Sequence, residues 1–332
     1  MSRIAILGAG SWGSALGVHL ARVGHDVRLW ARDPALAADI SARRANAVYL
    51  PDVRFPEALT CSSDLSHVVP GADVVVSALP SHGTRAVLRR ATPLIEAGAI
   101  VVSATKGLEE GTLFRMSEVV SQELAGKAAV AVLSGPSFAI ELARQLPTAV
   151  SVACLDPAAV ARVQADFRSP VFRLYGTSDV VGVEIGGATK NVIAIAAGVA
   201  EGLGLGHNAL AGLITRGLAE IARLACALGA QRETLSGLTG LGDLVLTCTG
   251  TLSRNRHVGV ELARGRRLDD VLAGMKGVAE GVRTTGAALA LASAHGVELP
   301  IAGQVADLLA GRKDARAALE DLMLRPQRAE AG

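Results

Sequence analysis

Two lysines have sequence neighbours that could suit them to exchange a proton or to stabilise negative charge on a ligand. Lys190 adjoins the apolar run Val192–Ala197, and desolvation by such a run lowers the pKa of a lysine toward neutral pH. Lys106 lies in the Gly-flanked loop 104–107, where a fixed positive charge could support a phosphate or a developing alkoxide. Ordinary alternatives exist, because a lysine stem can run along a core and loop lysines are commonly exposed.

A Gly-rich segment farther along encloses one carboxylate and leads into a polar cluster. Asp243 lies among apolar neighbours, and four polar residues follow at the start of a helix-like stretch: Ser253, Arg254, Asn255 and Arg256. Such side chains at a helix N-terminus favour a phosphate site, because bidentate hydrogen bonds and the helix dipole act together. A pair of solvated arginines is the alternative, but it leaves the isolated Asp243 unexplained.

The loop 134–139 contains another polar residue that could bind a ligand. Ser137 follows the apolar run Val130–Leu133, and together with nearby backbone N–H groups it could bind an anion. A Ser-Pro helix cap is the ordinary alternative.

A glycine fingerprint opens the chain and indicates a dinucleotide site. The strand-like run Ile4–Leu7 leads directly into Gly8, Gly10 and Gly13, and an amphipathic stretch follows to Arg22. In this motif the first glycine permits a tight turn, the second admits a pyrophosphate, and the third lets the helix pack on the strand. A Gly-rich turn without a ligand is the alternative.

The end of the second strand-like run bears on the choice of cofactor. Where an acidic residue would hold the ribose of NAD, the chain has Arg32, the residue type that accommodates the 2′-phosphate of NADP. We therefore expect Arg32 to contact the adenosine ribose or its phosphate. Alternatively, Arg32 is solvated and the following Asp33 and Pro34 only begin the next helix.

The secondary structure that must position these residues changes from alternating strands and helices in the first half of the chain to helices in the second half. Short β-branched runs alternate with helix-like stretches at first: Ile4–Leu7, Val27–Trp30, Val74–Ser77, Ile100–Ser103, Val130–Leu133, Thr148–Val152 and Val171–Leu174. From Asp179 onward, long amphipathic stretches replace them near 180–201, 208–229, 280–295 and 300–310. The pattern predicts an α/β Rossmann-like domain with a mostly parallel sheet over residues 1–178 and an all-α domain over 179–332. The tail after Pro326 is expected to fray.

Composition narrows the class of protein. The 332 residues exceed the usual size of one core, and half of them are apolar. The 33 basic residues nearly balance the 31 acidic ones, which argues against nucleic acid as the main partner. The four cysteines form no CxxC pair and no metal-like cluster with the seven histidines, which favours reduced thiols, no metal and a cytoplasmic location. The N-terminus does not resemble a signal peptide, and we expect no integral membrane association.

Taken together, the motifs resemble the bacterial form of the NAD(P)-dependent glycerol-3-phosphate dehydrogenase family. The resemblance runs in order through GAGSWG at 8–13, SATKG at 103–107, SGPSFA at 134–139, GATKN at 187–191, GLTGLGDL at 237–244 and SRNR at 253–256. It implies interconversion of sn-glycerol 3-phosphate and dihydroxyacetone phosphate with NAD(H) or NADP(H). It also implies a role in glycerophospholipid synthesis and the homodimer that is usual in this family.

The resemblance also assigns roles to single residues. It implies Lys190 as the proton acceptor, supported by Asp243, with Lys106 near both substrate and cofactor. Residues that match positions around glycerol phosphate are Gly135, Ser137, Ser253, Arg254 and Asn255. Residues that would complete the dinucleotide site, besides the fingerprint glycines, are Ser11, Trp12, Arg32, Ala139, Arg254, Val278 and Glu280.

Two other functions fit parts of the pattern. A β-hydroxyacid or 6-phosphogluconate-type dehydrogenase combines the same domains with a Lys-Asn element, but it needs a carboxylate site where SRNR favours a phosphate. A catalytically silent dinucleotide-binding regulator or scaffold is the alternative from another class. Retention of both Lys190 and Arg254 argues against it, because polar groups that are costly to bury are usually lost with activity.

Overall fold

A computed structural model describes residues 1–326 and contains one large sheet in its first half. The strands are β1 Arg3–Leu7, β2 Asp26–Trp30, β3 Ala45–Asn46, β4 Leu50–Arg54, β5 Leu59–Ser62, β6 Val74–Ser77, β7 Ile100–Ser103, β8 Ala129–Ser134, β9 Thr148–Ala153 and β10 Phe172–Thr177. Apolar β-branched residues dominate the central strands, and β6 is buried along its whole length, as expected for a sheet covered on both faces.

Eight strands form this sheet in the order β10-β9-β8-β7-β6-β1-β2-β5. Every neighbouring pair is parallel except β8 and β9, which are antiparallel. The strand order reverses between β1 and β6, which is the position where open α/β sheets bind ligands beyond the carboxyl ends of their strands. The strands β3 and β4 form a separate antiparallel pair.

Helices cover both faces of the sheet. They are α1 Ser11–Arg22, α2 Pro34–Arg43, α3 Leu65–Val68, α4 Ser81–Ala91, α5 Met116–Leu124, α6 Ala139–Ala143 and α7 Pro157–Phe167, with a single 3-10 turn at Thr92–Leu94. Two apolar cores result, one on each face, because alternate residues of a strand point to opposite sides. For example, Ile4 and Ile6 belong to one core, whereas Ala5 and Leu7 belong to the other.

The first strand-to-helix turn has the geometry that the glycine fingerprint predicts. Gly8 has a φ of +117°, which favours glycine, and it directly follows β1. A Cβ atom at Gly13 would lie 2.0 Å from the carbonyl oxygen of Gly8, so only glycine allows this close packing of α1. A Cβ atom at Gly10, by contrast, would have no neighbouring atom within 4 Å, which leaves that side of the turn open.

The second half of the described chain, residues 178–326, contains helices and loops only. The helices are α8 Val180–Gly202, α9 Gly206–Ala227, α10 Arg232–Ser236, α11 Asp243–Thr249, α12 Arg254–Ala263, α13 Leu268–Ala273, α14 Glu280–Ala294, α15 Pro300–Leu309 and α16 Ala315–Met323, with a π-helical turn at Leu238–Gly242. The apolar helix α8 lies in the middle of this group, and its Ala188, Ile195 and Ala197 belong to the helical core.

One helix among residues 1–326, α8, is long and apolar enough to cross a membrane by length and composition. Of its most apolar 18-residue window, 83% is buried inside the protein. The other helices therefore account for its apolar surface, as for a core helix.

The structure confirms the predicted fold class, an α/β region with a mostly parallel sheet followed by a helical region. Asp33 caps α2 through a hydrogen bond from the backbone N–H of Ala35, as the Asp-Pro pair predicts. The last strand begins and ends later than predicted, at Phe172–Thr177, and β3, β4 and β5 were not predicted. The division at 178/179 remains a prediction, and the expected fraying after Pro326 lies outside the described residues.

Candidate active site

The loops after β7 and β8 bring three of the predicted residues together, because neighbouring parallel strands end at the same edge of the sheet. Lys106 donates a hydrogen bond from Nζ to the carbonyl oxygen of Gly135 over 3.0 Å, and the Ser137 hydroxyl donates to the same oxygen over 2.9 Å. Gly135 has a φ of +141°, and a Cβ atom there would lie 2.9 Å from Cα of Val150. Glycine is therefore required for this loop to pack against β9.

Helix α8 carries Lys190 to these strand ends because two glycines let it approach closely. A Cβ atom at Gly187 would lie 2.4 Å from Oγ of Ser134, at the end of β8. At Gly186 a Cβ atom would lie 3.0 Å from the carbonyl oxygen of Thr239, in the π-helical turn. Lys190 follows one turn later, and only 7% of its side chain is exposed.

Asp243 binds both lysines. It begins α11 directly after the π-helical turn, where Gly240 packs so tightly that a Cβ atom would lie 1.9 Å from the carbonyl oxygen of Leu235. One carboxylate oxygen, Oδ2, accepts a hydrogen bond from Lys106 over 2.6 Å, and the other, Oδ1, accepts from Lys190. Its side chain is only 1% exposed, so the two ammonium groups provide the charge pairing that a buried carboxylate requires.

Burial lowers the pKa of Lys190 to about 7, and the neighbouring Lys106 ammonium contributes in the same direction. The Asp243 carboxylate opposes this shift, since it favours the charged amine. Thr247, one turn after Asp243 on α11, accepts a hydrogen bond from Nζ of Lys190 over 2.8 Å and fixes its direction. The adjacent Cys248 thiol cannot compete as a proton donor near neutral pH, because burial raises its pKa to about 12.

A second group of predicted residues surrounds the N-terminus of α12. Ser253 caps this helix by accepting a hydrogen bond from the backbone N–H of Arg256. The Asn255 amide donates to Oδ1 of Asn191 over 2.9 Å and accepts from the backbone N–H of Gly281 over 2.9 Å, so it connects α12, α8 and α14. Arg254 is exposed on the same turn, where it is available to an anion.

A cleft of about 340 Å³ joins this helix end to the glycine fingerprint. Ser11 from α1, Tyr49 from the loop before β4, and Ser253 and Arg254 from α12 all line it. Arg256, in contrast, forms an ion pair with Glu201 over 2.5 Å. Of the two arginines in the SRNR motif, Arg254 is therefore the one that faces the cleft.

The fingerprint region fits a dinucleotide. Helix α1 begins at Ser11 without a side-chain cap and without an acidic residue in its first turn, so its free N–H groups can receive a pyrophosphate beside the open face of Gly10. Trp12 is half-buried on the same turn. Arg32 is exposed at the end of β2, on the opposite side of β1 from β7 and β8, where the adenosine end would lie.

The three remaining residues of the implied dinucleotide site come from elsewhere in the chain. Ala139 begins α6, Val278 lies in the loop before α14, and Glu280 begins α14; all three are half-buried. Glu280 accepts hydrogen bonds from Ser81 at the start of α4, so it reaches the carboxyl edge of the sheet from the helical region.

Sequence reasoning missed three residues that the structure places at the site. Thr247 had a usable signal, since it lies four residues after Asp243 and four residues make one turn of a helix. Asn191 alone was not informative, because its partner Asn255 is 64 positions away. Ser81 had no local signal.

Two further features of the described residues lie away from this chemistry. No group of three or more His, Cys, Asp or Glu among residues 1–326 is arranged to hold a metal ion. A larger cavity of about 950 Å³ lies among α8, α9, α15 and α16, but none of the predicted site residues lines it. Convergent polar groups, rather than cavity size, therefore favour the Lys106–Asp243–Lys190 cluster as the candidate active site.

A Rossmann-like sheet with a dinucleotide turn, facing a buried lysine of lowered pKa, defines a nicotinamide-dependent oxidoreductase. Family models described as NAD-dependent glycerol-3-phosphate dehydrogenase N-terminus and C-terminus match residues 3–160 and 179–320, respectively. The chain therefore belongs to the NAD-dependent glycerol-3-phosphate dehydrogenase family, as its motifs predict.

Individual relatives are similar to this protein over nearly the whole length of its chain. A Geobacter metallireducens protein named glycerol-3-phosphate dehydrogenase (NAD(P)+) is 50% identical over 332 residues, which cover 99% of each chain. The crystal structure of a glycerol-3-phosphate dehydrogenase from Coxiella burnetii is 42% identical, with a TM-score of 0.94 and coverage of 98% of this chain and 99% of that one. These comparisons confirm the enzyme class and the nicotinamide cofactor, and they do not favour the β-hydroxyacid or 6-phosphogluconate alternative.

Proposed function

We propose that the protein interconverts sn-glycerol 3-phosphate and dihydroxyacetone phosphate by hydride transfer with NAD(H) or NADP(H). The observation that carries this proposal is the Lys106–Asp243–Lys190 cluster at the carboxyl edge of the sheet. It lies between a turn suited to a dinucleotide and a helix N-terminus suited to a phosphate. The lysines of this cluster do not line the 340 Å³ cleft itself, but Asn191, which follows Lys190 on α8, connects the cluster to that helix N-terminus through its hydrogen bond with Asn255.

When bound, the nicotinamide cofactor would supply the hydride that C2 of the ketone accepts. Negative charge then develops on the C2 oxygen, and Lys190 donates a proton to it; in the alcohol direction the neutral amine removes that proton. A pKa of about 7 suits both directions, because neither protonation state of Lys190 is rare near neutral pH. Lys106 stays as a fixed positive charge, held by Asp243 and the Gly135 carbonyl.

The substrate phosphate is assigned to the N-terminus of α12. Arg254 would supply a charge-assisted pair, and backbone N–H groups of the first turn would supply further donors. Ser253 and Asn255 hold this helix end in place through the contacts described above, and Gly135 and Ser137 close the other side of the substrate. Trp12, Ala139, Val278 and Glu280 would line the cofactor.

An absorbance assay at 340 nm tests the proposal directly. Purified protein is mixed with NADH or NADPH in parallel, and with dihydroxyacetone phosphate, unphosphorylated dihydroxyacetone, or an oxidised 3-hydroxyacid as the acceptor. We expect rapid loss of absorbance with dihydroxyacetone phosphate alone. Comparable rates with the unphosphorylated ketone or with the carboxylate substrate would contradict the proposed specificity.

Cellular context and assembly are proposed from the family resemblance. We propose a cytoplasmic enzyme that supplies glycerol 3-phosphate for glycerophospholipid synthesis and acts as a homodimer. Light scattering during size-exclusion chromatography would test the last point, with an expected mass twice that of one chain. We also propose domains at 1–178 and 179–332, supported by the end of β10 at Thr177 and the start of α8 at Val180.

A further inference from the structure

One carboxylate joins the helical region to the sheet region beside the loop that carries Lys106. Glu280, the first residue of α14, accepts a hydrogen bond from the Ser81 hydroxyl over 2.7 Å and another from the Ser81 backbone N–H over 3.2 Å. Ser81 begins α4, just after the loop that follows β6, and is only 4% exposed. The contact therefore lies beside the position where the strand order reverses.

Electrostatics favour a carboxylate at this position. Helix α4 has no side-chain cap at its N-terminus and no acidic residue in its first turn, so its first N–H groups have no partner from their own element. Glu280 supplies the missing acceptor from the other region. It also occupies the first turn of α14, so one negative charge lies at the positive ends of two helices.

The same contact touches the loop that carries Lys106. Gly107 has a φ of +157°, and a Cβ atom there would lie 2.9 Å from Cβ of Ser81 and 3.4 Å from Oε2 of Glu280. Only glycine allows the Lys106 loop to pack so closely against the Ser81–Glu280 pair.

The segment before and after Glu280 reaches the proposed phosphate site. A Cβ atom at Gly277 would lie 2.0 Å from Nη1 of Arg254, so the guanidinium packs directly on this glycine. Four residues later, the backbone N–H of Gly281 donates to Oδ1 of Asn255. The segment 277–281 is thus held by Ser81 at one point and by α12 at two others.

We propose that Ser81 is a positioning residue that holds Glu280, and with it the segment 277–281, over the cofactor and against Arg254. Ser81 acts through Glu280 and does not itself take part in proton transfer. The inference rests on the proposed function, because it takes the cleft as the dinucleotide site. It adds a residue from the sheet region that determines how the helical region closes on the cofactor.

The test uses the full-length protein and four variants: Ser81→Ala, Glu280→Ala, the double variant, and Arg283→Ala. Arg283 lies on the same helix α14 and also reaches the sheet region, through a half-exposed ion pair with Glu110 over 3.1 Å. It is the matched control, because exposed pairs of this kind contribute little. Four quantities are measured for each: kcat, KM for NADH, Kd for NADH by fluorescence, and the thermal unfolding midpoint.

We expect Ser81→Ala to raise both KM and Kd for NADH about tenfold, the order expected for a hydrogen bond to a charged group, while kcat stays within about threefold. In the Glu280→Ala background the same change should have no further effect, and Arg283→Ala should stay within about twofold of the parent. Equal effects of Ser81→Ala in both backgrounds, a fall in kcat at unchanged KM, or parent-like NADH binding would overturn the inference.

The Kd for NADH keeps this test separate from the proposed substrate. An inactive parent that binds NADH would contradict the proposed function, whereas the comparison of Ser81→Ala with the double variant would still decide the role of Ser81.

Discussion

Replacement of Asp243 by Asn tests how one carboxylate tunes Lys190, the proposed proton donor. The two side chains have nearly the same shape, but Asn removes the negative charge that contacts both Lys106 and Lys190. Burial and the Lys106 ammonium, which both lower the pKa of Lys190, are then no longer opposed by the carboxylate charge. The pKa of Lys190 should therefore fall below its value of about 7 in the parent.

The size of the effect follows from the geometry. An opposite charge in direct contact typically changes a pKa by about 1–3 units, so from about 7 in the parent we expect a value of roughly 4–6 in Asp243→Asn. In the proposed mechanism ketone reduction requires protonated Lys190, so its rate should fall as the pH rises through that pKa. Near pH 7.5 the variant should therefore reduce dihydroxyacetone phosphate about ten- to thousandfold more slowly than the parent.

The assay is kcat against pH, from about pH 5 to 9, for reduction and for oxidation. In the parent, reduction should decline and oxidation should rise around pH 7, and both transitions should move to lower pH in Asp243→Asn. Thr249→Val is the control, because Thr249 lies on the same helix α11 but is exposed, and its profile should match the parent. Thermal unfolding of each variant identifies the folded fraction, since a broken buried ion pair costs about 3–5 kcal/mol. A transition that stays near pH 7 in Asp243→Asn, or moves to higher pH, would refute the reasoning.

Two further substitutions test the proposed contacts to the substrate phosphate and to the adenosine end of the cofactor. Arg254→Ala should lose most of kcat/KM for dihydroxyacetone phosphate, because a charge-assisted pair to a buried phosphate is worth roughly 2–5 kcal/mol, while the poor activity on unphosphorylated dihydroxyacetone should hardly change. Equal losses on both substrates would show that Arg254 serves the cofactor or the fold instead. Arg32→Ala should raise KM for NADPH well above any change for NADH, since Arg32 stands where an acidic residue would hold the ribose of NAD. Equal changes for the two cofactors would remove Arg32 from 2′-phosphate recognition.

Local signals in the sequence were sufficient for much of the fold. The turn at Gly8 and Gly13 could be predicted because its requirements lie within six residues, and the cap at Asp33 could be predicted because Asp and Pro act on adjacent N–H groups. The long helices α8, α9, α14 and α15 could be predicted from their apolar periodicity.

The missed elements depend on contacts with distant parts of the chain. The strand β5 has only four residues and lies at the edge of the sheet, so its pairing with β2 stabilises it more than its own composition does. The Gly-rich segment around Gly240 hides the π-helical turn, because glycine disfavours a helix and is accepted here only for close packing on Leu235.

The candidate site also combines features that local sequence predicts with features that depend on distant contacts. The lowered pKa of Lys190 could be predicted from its apolar neighbours, and Asp243 could be predicted as the partner of its charge. The second bond of Asp243, to Lys106, joins residues 137 positions apart, and the contact between Ser81 and Glu280 joins residues 199 positions apart. No local pattern encodes either contact, because each arises only when the two regions pack together.

The central claim is that Lys190 exchanges the proton of the C2 oxygen, and turnover of Lys190→Ala tests it most directly. Its kcat at pH 7 is compared with that of the parent, and NADH binding is followed by fluorescence in both. The account predicts a fall in kcat of about 10²–10⁴, the usual worth of a general acid–base group, with NADH affinity near the parent value. Near-normal turnover, or a loss of NADH binding as large as the loss of rate, would contradict the account and move proton transfer to another residue such as Lys106.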